Sequence, residues 1–576
     1  MRGAVWVGLV LTGSVALAET DPPARAATPP ELTKLAQEFR AWRRGDRAGV
    51  PDYGAQAAEK RRGLPEWQRR LDALKRDDWP VSVKVDALVL QQELNDLDFD
   101  LNVTREVSRN PDFYIEEAAR GVSRNVGGRY QSGPTVTVPY DAKRADAILA
   151  GLKNTSAILD QAPKNLTEAV PEMAEMAIER LADVRKDYNE FARVVSPHVP
   201  DAQRAQVGPA ADEAGAAMEK YREWLKANRS KMTAPYTIGR KAFEWYVRRV
   251  LMMPYDSEQL LTQAAMERDR GWAFLALEKQ KNRALPEIGP ARDNKEYSEW
   301  KDATDVLSRM WAEELDLFTR PSYVGAMRDA DGAVWIEPFG MMAFPTQPAA
   351  AGTSKTEFLT PPEHWFSHIY WEKGHRLDPG INHPHSDYPG HTFEGAVSQK
   401  TTNEIRRGHN SRHDAWTYYM EEVQLQTNYP FVRGPRVREW MYGLHIMRAE
   451  RVYAAVKFAD GSLTPDALAE HMMKNVPGME PYVARKHEVW RKFTDPGQVL
   501  TYQVARSQVY ELLGDRMKQL GDKFNLREFH DQLLATGQIP VSLARWEMTG
   551  KDDEVRYLWK SEPLPAPVPA AARGKK

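Results

Sequence analysis

Apolar side chains recur at helical spacing along most of this 576-residue sequence, and this pattern restricts the fold more than any other feature. Residues three or four positions apart share one face of a helix, which then packs inward. The pattern predicts a mainly α fold built from many helices. It is clearest in the segments 64–74, 90–101, 173–191, 499–520 and 527–536.

A different pattern interrupts the helices between residues 323 and 340. There Asp331-Gly332 separates two short β-prone runs, a combination typical of a hairpin turn. The sequence predicts a small β-hairpin or sheet at this place. Residues 345–363 have the composition of a long loop, and long loops inside compact domains are often functional.

The N-terminus has the pattern of a secretory signal peptide at residues 1–18: a positive charge at Arg2, an apolar run, and small residues ending at Ala18. Cleavage is expected after Ala18. Residues 19–30 are rich in Pro and Ala and predict a flexible leader. No later stretch is long and apolar enough to cross a bilayer. We therefore expect a periplasmic or secreted protein without stable membrane insertion after cleavage.

No linker divides the rest of the sequence, which predicts one large helical domain over residues 31–560 and a disordered tail over 561–576. Because cysteine is absent, stability must come from a large core rather than from disulfides. A formal net charge of −2 and the lack of a long basic block argue against nucleic acid as a partner. The oligomeric state stays open, because faces buried against a partner and faces buried in the core look alike in sequence.

Histidines are concentrated in one part of the chain, since eight of the thirteen lie between residues 364 and 413. Clustered imidazoles beside carboxylates are typical of sites for metals such as zinc, and this density favours a metal site over surface or core histidines. The pairs His364/His368 and His409/His413 have the i,i+4 spacing of one helix face. Neither pair forms the H-E-x-x-H arrangement of helical zinc sites.

The segment HSDYPGH at residues 385–391 carries more information than these pairs. Six residues along an ideal helix turn a side chain to about 120° from its starting direction, so two helical ligands at this spacing diverge. Pro389-Gly390 must therefore bend the chain if both histidines are to meet. Farther on, Asp414 begins a segment with helical spacing. It is either a third metal ligand or a carboxylate that interacts with the helix dipole.

These residues resemble a bacterial family known as domain of unknown function 885, whose members are regarded as zinc metallopeptidases. The family typically shows H-E-x-x-P-G-H and, downstream, E-G-W-A-x-Y-x-E. Here the corresponding segments read HSDYPGH (385–391) and DAWTYYME (414–421). The segments 495–516 and 520–544 are similar to its P-G-Q-x-x-x-Y and F-H-D-x-x-L-x-x-G-x-x-P signatures. The resemblance covers most of the mature chain in layout and is specific from about residue 380 to 546.

The resemblance implies a zincin-like peptidase scaffold with a Zn²⁺ ion held by His385, His391 and Asp414. Asp414 stands where the family has a glutamate, and its side chain is one methylene shorter. A second difference concerns catalysis, because Ser386 replaces the glutamate expected to act as general base. Hydrolysis needs a group that takes a proton from water and passes it to the leaving amine, and a serine alone cannot do this.

Other residues at or near family positions are candidates for the missing chemistry. Three carboxylates are possible substitutes for the base, and two tyrosines are expected to line the cleft and steady an oxyanion. Tyrosines packed in a helical core are the alternative interpretation. The candidate catalytic residues are Asp387, Glu394, Glu421, Tyr419 and Tyr502, and Gln498 and His530 also match family positions.

A further difference follows at residues 451–459, RVYAAVKFA, where relatives show an Asp and a His in an R-x-x-x-D-x-G-x-H pattern. The main hypothesis is an exported zinc-dependent hydrolase that acts on short peptides or peptide-like amides through a metal-activated water. The alternative is a catalytically degenerate relative that serves as a periplasmic binding or scaffold protein. A third hypothesis is a metal-dependent enzyme of another reaction class.

Overall fold

The computed structural model describes residues 26–45, 49–76, 78–127, 138–324, 333–337, 339–343, 370–407, 409–481 and 483–568. Several predicted features lie outside these ranges. They are the signal peptide at 1–18, the first part of the leader, the loop at 345–363, and the pair His364/His368.

Helices dominate the described chain, as the apolar periodicity predicts, and several begin at an aspartate whose side chain accepts a backbone N–H of the first turn. The first thirteen are α1 (Pro30–Arg44), α2 (Tyr53–Asp72), α3 (Val81–Phe99), α4 (Glu106–Arg109), α5 (Pro111–Val126), α6 (Ala142–Leu159), α7 (Ala162–Asn165), α8 (Pro171–Arg180), α9 (Val184–Val195), α10 (Asp201–Asn228), α11 (Arg240–Arg249), α12 (Ser257–Lys281) and α13 (Asn294–Glu314). Those that follow are α14 (Tyr370–Leu377), α15 (His383–Ser386), α16 (His391–Ser398), α17 (His413–Gln426), α18 (Val437–Ala459), α19 (Pro465–Asn475), α20 (Trp490–Thr494), α21 (Gln498–Leu520), α22 (Leu526–Ala535) and α23 (Val541–Thr549).

Helices α5, α6, α8, α9 and α10 enclose one apolar core. Helices α5 and α6 approach closely because two glycines face each other: a Cβ atom on Gly151 would lie 2.6 Å from the carbonyl oxygen of Gly121. The segment 173–191, predicted as one helical face, is divided between α8 and α9 by a turn at residues 181–183. Both parts still bury their apolar residues, so the chain turns while the periodicity continues.

A second and larger core lies among the helices of the C-terminal half. Helices α12 and α18 pack closely at Gly271, where a Cβ atom would lie 2.8 Å from the Ile446 side chain. Helices α17 and α18 are buried on nearly every side, polar residues included. Buried polar groups are costly unless they are paired, so the polar side chains of these two helices must form internal networks.

Two short strands, β1 (Ala333–Ile336) and β2 (Gly340–Ala343), form an antiparallel pair in which Ile336 lies opposite Gly340. The chain reverses between Ile336 and Gly340, whereas the sequence placed the turn at Asp331-Gly332, outside the described ranges. Phe339 at the reversal packs on Tyr188 and Phe191 of α9. The hairpin therefore attaches to the N-terminal core.

The end of the described chain contacts the body of the protein. Arg249 lies 3.1 Å from Glu562, with Arg248 on the same carboxylate, and Leu564 packs against the cluster around Trp245. The rest of the predicted tail, from residue 569, lies outside the described ranges. Within those ranges, no helix has both the length and the apolar character that a membrane span requires.

Candidate metal centre

A tight bend between α15 and α16 brings His385 and His391 together. Gly390 packs directly on the carbonyl of His385: a Cβ atom added at Gly390 would lie 1.8 Å from that oxygen. Glycine has no such atom, and the bend depends on its absence. The centroids of the two imidazole rings are 4.7 Å apart and the rings are nearly perpendicular. The bend at Pro389-Gly390 therefore places both rings in one small volume.

Asp414 lies in the first turn of α17, beside His391. Its Oδ1 atom is 3.9 Å from Nε2 of His391. Its Oδ2 atom accepts a hydrogen bond of 2.6 Å from the hydroxyl of Thr501 on α21. The sequence left two roles open for Asp414; its carboxylate lies beside His391 and is held by Thr501.

Glu421 connects His385 to a buried arginine. The Nδ1 atom of His385 lies 2.6 Å from Oε1 of Glu421, and Arg448 donates two hydrogen bonds of 2.7 Å to the same carboxylate. Burial alone would raise the pKa of Glu421, but the charge of Arg448 and the contact with His385 hold it well below its ordinary value. Glu421 is thus ionised, and it fixes the orientation of the His385 ring.

Both imidazoles are held in the neutral form that metal binding requires. Burial lowers the pKa of His385, against the opposing influence of Glu421. Burial also brings the pKa of His391 well below its usual value, and the neighbouring rings of His385 and His413 lower it further. Each ring can therefore offer a lone pair at neutral pH.

Tyr502 lies beside the candidate ligands. Its ring is parallel to that of His385, with the centroids 6.0 Å apart. Burial raises the pKa of Tyr502 above its ordinary value, so the hydroxyl stays protonated and can act as a donor. Its predicted role in lining a cleft stays a prediction.

Two of the candidate bases are bound to other partners. Asp387 Oδ2 lies 3.0 Å from Nδ1 of His383. Glu394 is buried and accepts hydrogen bonds from Arg412 Nε at 3.0 Å and from Gln538 Nε2 at 2.9 Å. Both carboxylates are therefore held by other side chains rather than by His385 or His391.

Ser386 and Tyr419 are also engaged away from the three candidate ligands. The Ser386 hydroxyl donates to Oδ1 of Asn382 at 2.7 Å. The Tyr419 hydroxyl lies 2.9 Å from Nε2 of His530, whose Nδ1 donates to a backbone carbonyl. His530 must therefore accept at Nε2, and Tyr419 donates its proton there. The core-packing interpretation fits Tyr419.

His413 lies at this site, although the sequence considered it only as the helical partner of His409. Its ring stacks on that of His391 with the centroids 3.7 Å apart, and Gln538 lies 2.9 Å from its Nδ1 atom. The spacing pairs it with His409, but that ring instead contacts Gln92 at 2.7 Å. The useful signal was its position directly before Asp414 at the start of α17.

One family model matches most of the chain. The family model described as "Bacterial protein of unknown function (DUF885)" matches residues 40–548. The chain belongs to the DUF885 family. No curated protein sequence matches this DUF885 protein.

Two solved structures resemble the DUF885 chain over most of its length. A proposed lipoprotein of unknown function from Shewanella oneidensis is 16% identical with a TM-score of 0.62, and the match covers 91% of this chain and 100% of that one. A proposed lipoprotein from Colwellia psychrerythraea is 14% identical with a TM-score of 0.64, covering 90% and 98%. At these identities the likeness shows a shared fold.

The side chains of this DUF885 site suit zinc by their chemistry, because two neutral imidazoles and a carboxylate are common zinc ligands. The distance of 3.9 Å between Asp414 and His391 is longer than in a formed zinc site. With bonds of about 2.1 Å, two ligands of one tetrahedral ion lie about 3.4 Å apart. In the described ranges, no three or more His, Asp or Glu side chains already stand as a metal-binding group. A bound ion would have to draw the three ligands closer.

Proposed function

We propose that this DUF885 protein is an exported, zinc-dependent hydrolase of short peptides or peptide-like amides, with the ion held by His385, His391 and Asp414. The observation that carries the proposal is the close approach of the His385 and His391 rings across a bend that only glycine permits, with Asp414 at 3.9 Å from His391. Export is supported by the signal-like N-terminus and by the resemblance to proposed lipoproteins.

The contact between Glu421 and His385 supports a metal role for His385. In metal sites, a carboxylate commonly holds one ring nitrogen of a histidine so that the other nitrogen points to the ion. Here Glu421 lies at Nδ1 of His385 at 2.6 Å, which assigns the ligand position to Nε2. Arg448 in turn fixes Glu421 through two hydrogen bonds.

Zinc at this place would polarise a carbonyl group and activate water. The other steps fall to residues of the chain. Tyr502, protonated and parallel to His385, is placed to donate a hydrogen bond to a developing oxyanion. His413, stacked on His391 and partly exposed, is the group best placed to move a proton between water and the leaving amine.

A second candidate function, binding without hydrolysis, has an observation in its favour. Ser386 stands where the family has its general base and donates to Asn382. The substitutes Asp387 and Glu394 are occupied by His383 and by Arg412. A site that kept its ligands and lost its base would still bind a substrate-like molecule.

A digest of a defined peptide library by the zinc-loaded mature protein tests hydrolysis. We expect new amino termini with wild type and with the control His198→Ala in the turn after α9, and none with His391→Ala. Activity that appears only in Ser386→Glu would support the second candidate. No activity in wild type or in Ser386→Glu, with zinc bound in both, would contradict the hydrolase proposal.

A further inference from the structure

Three arginines lie near the candidate ligands, and the two buried ones, Arg448 and Arg451, have internal carboxylate partners. Arg448 is paired with Glu421. Arg451 donates to Glu488 at 2.7 and 2.5 Å. These pairs neutralise their charges, which is the usual state of a buried guanidinium.

The third arginine, Arg491 on α20, has neutral partners instead. Its Nη1 donates to the side-chain oxygen of Gln498, and its Nε donates to Nε2 of His487 at 3.3 Å. Burial lowers the pKa of His487 to about 4, so this imidazole is uncharged. In the described part of the chain, no carboxylate forms an ion pair with Arg491, and its Nη2 makes no hydrogen bond.

The carboxylates around Arg491 already have other hydrogen-bond or ion-pair partners. Asp495 accepts the backbone N–H groups of Gly497 and Gln498 at the start of α21. Glu488 is held by Arg451, and Asp414 accepts from Thr501. A cationic group with a fork of N–H donors therefore remains without an anion, and a guanidinium fork matches a carboxylate in shape and charge.

Helix α21 connects this arginine to the candidate metal centre. Gln498 holds Arg491, Thr501 holds Asp414, and Tyr502 lies parallel to His385. Gln498 and Tyr502 are four residues apart, which places them about 6 Å apart on one helix face. An extended peptide advances about 3.5 Å per residue, so a group at Arg491 lies about one or two residues from the candidate ligands.

We propose that Arg491 binds a carboxylate of the substrate, namely the free C-terminal carboxylate of a short peptide whose scissile amide lies one or two residues away. The inference rests on the proposed function for the position of the scissile bond. The carboxylate site itself is a property of the chain and can be measured without zinc or hydrolysis.

Isothermal titration of the metal-free mature protein with three probes tests the carboxylate site. The probes are trialanine with a free C-terminus, trialanine amide, and Ala-Glu-Ala amide. A hydrogen-bonded charge pair is worth about 10- to 100-fold in affinity, so wild type should bind the free acid more tightly than trialanine amide by this factor. Tight binding of Ala-Glu-Ala amide would support a carboxylate site and assign it to acidic side chains, overturning the C-terminal assignment.

Variants at position 491 test whether Arg491 causes the preference for the free acid over the amide. In Arg491→Gln the ratio between acid and amide should fall close to one, and in Arg491→Lys it should take an intermediate value because the charge stays and the fork is lost. Arg485→Gln is the matched control, since Arg485 lies on the same segment but pairs with Glu179 and Asp466. It should keep the wild-type ratio.

Two results would overturn the inference: equal binding of acid and amide by wild type, or an unchanged ratio in folded Arg491→Gln and Arg491→Lys. Thermal unfolding of each variant shows whether it is folded. If the protein prefers the acid but never cleaves it, the proposed hydrolysis fails while the carboxylate site stands. If the protein cleaves trialanine and trialanine amide equally well, the proposed hydrolysis stands and the carboxylate site at Arg491 fails.

Discussion

The Nδ1 atom of His385 lies 2.6 Å from Oε1 of Glu421, and Arg448 holds the same carboxylate through two hydrogen bonds of 2.7 Å. All three groups are buried. The arrangement combines a stability function, the pairing of a buried charge, with a positioning function, the orientation of an imidazole. These two functions can be separated by experiment.

Glu421→Gln should lower both stability and zinc affinity. Removing one charge of a buried pair costs about 3–5 kcal/mol, and loss of a carboxylate that orients a metal-binding histidine costs about 10- to 100-fold in metal affinity. Chemical denaturation and zinc titration measure the two effects.

The pair Arg451–Glu488 provides the control, because it is buried, its arginine lies on the same helix as Arg448, and the two side chains bind each other rather than His385. Glu488→Gln should destabilise the protein to a similar extent and leave zinc affinity unchanged. Equal losses of zinc affinity in both variants would show that Glu421 acts only through general stability.

Gly390→Ala should disrupt the site, because the new Cβ atom would overlap the carbonyl oxygen of His385 at 1.8 Å. The backbone must shift, and the rings of His385 and His391 must separate. We expect a large loss of zinc affinity together with a lower melting temperature, measured by zinc titration and differential scanning calorimetry.

Gly395→Ala is the matched control, since Gly395 lies within α16 and no atom lies within 4 Å of an added Cβ. Alanine should stabilise this helix by about 0.5–1 kcal/mol. Normal zinc binding by Gly390→Ala would mean that the bend is not needed to bring the rings together.

The stability of the protein should depend on pH through Lys492, which is 4% exposed. Burial is the main cause that lowers the pKa of Lys492 from 10.5 to about 7; Arg451 and Arg491 add to the effect, while Glu488 and Asp495 oppose it. Between these two values the unfolded chain binds more protons than the folded one. This contribution to the free energy of unfolding therefore rises from about pH 7 to about pH 10.5.

Lys492→Met should remove that rise, so its stability relative to wild type should be greatest at or below pH 7 and decline toward pH 10.5. Urea denaturation at several pH values between about 6 and 10 measures the difference. Lys518→Met, at an exposed position of α21, should show no such trend. A constant difference between Lys492→Met and wild type would contradict a neutral buried Lys492.

The helical architecture was accessible from the sequence because periodicity is a local property. The segments 499–520 and 527–536 correspond closely to α21 and α22. The division of 173–191 into α8 and α9 was missed because apolar residues continue through the turn at 181–183. Periodicity detects a buried face, and a short turn need not interrupt it.

The candidate site was accessible only where its geometry is local. The bend at Pro389-Gly390 follows from helix geometry and the residue types. The partners of Glu394 do not, since Gln538 reaches it from 144 positions away along the chain. Arg448 and Glu421 likewise meet across two helices. Which carboxylates are paired with other side chains therefore depends on tertiary contacts, and these cannot be predicted from the spacing of residues in the sequence.

The zinc content of the mature protein tests the central claim most directly. Protein equilibrated with zinc and then dialysed should retain one ion per chain by elemental mass spectrometry, and so should the control His198→Ala. The His391→Ala variant should retain none while unfolding at a similar temperature. Wild type without stoichiometric zinc, or a folded His391→Ala variant that retains as much zinc as wild type, would contradict a metal centre at His385, His391 and Asp414.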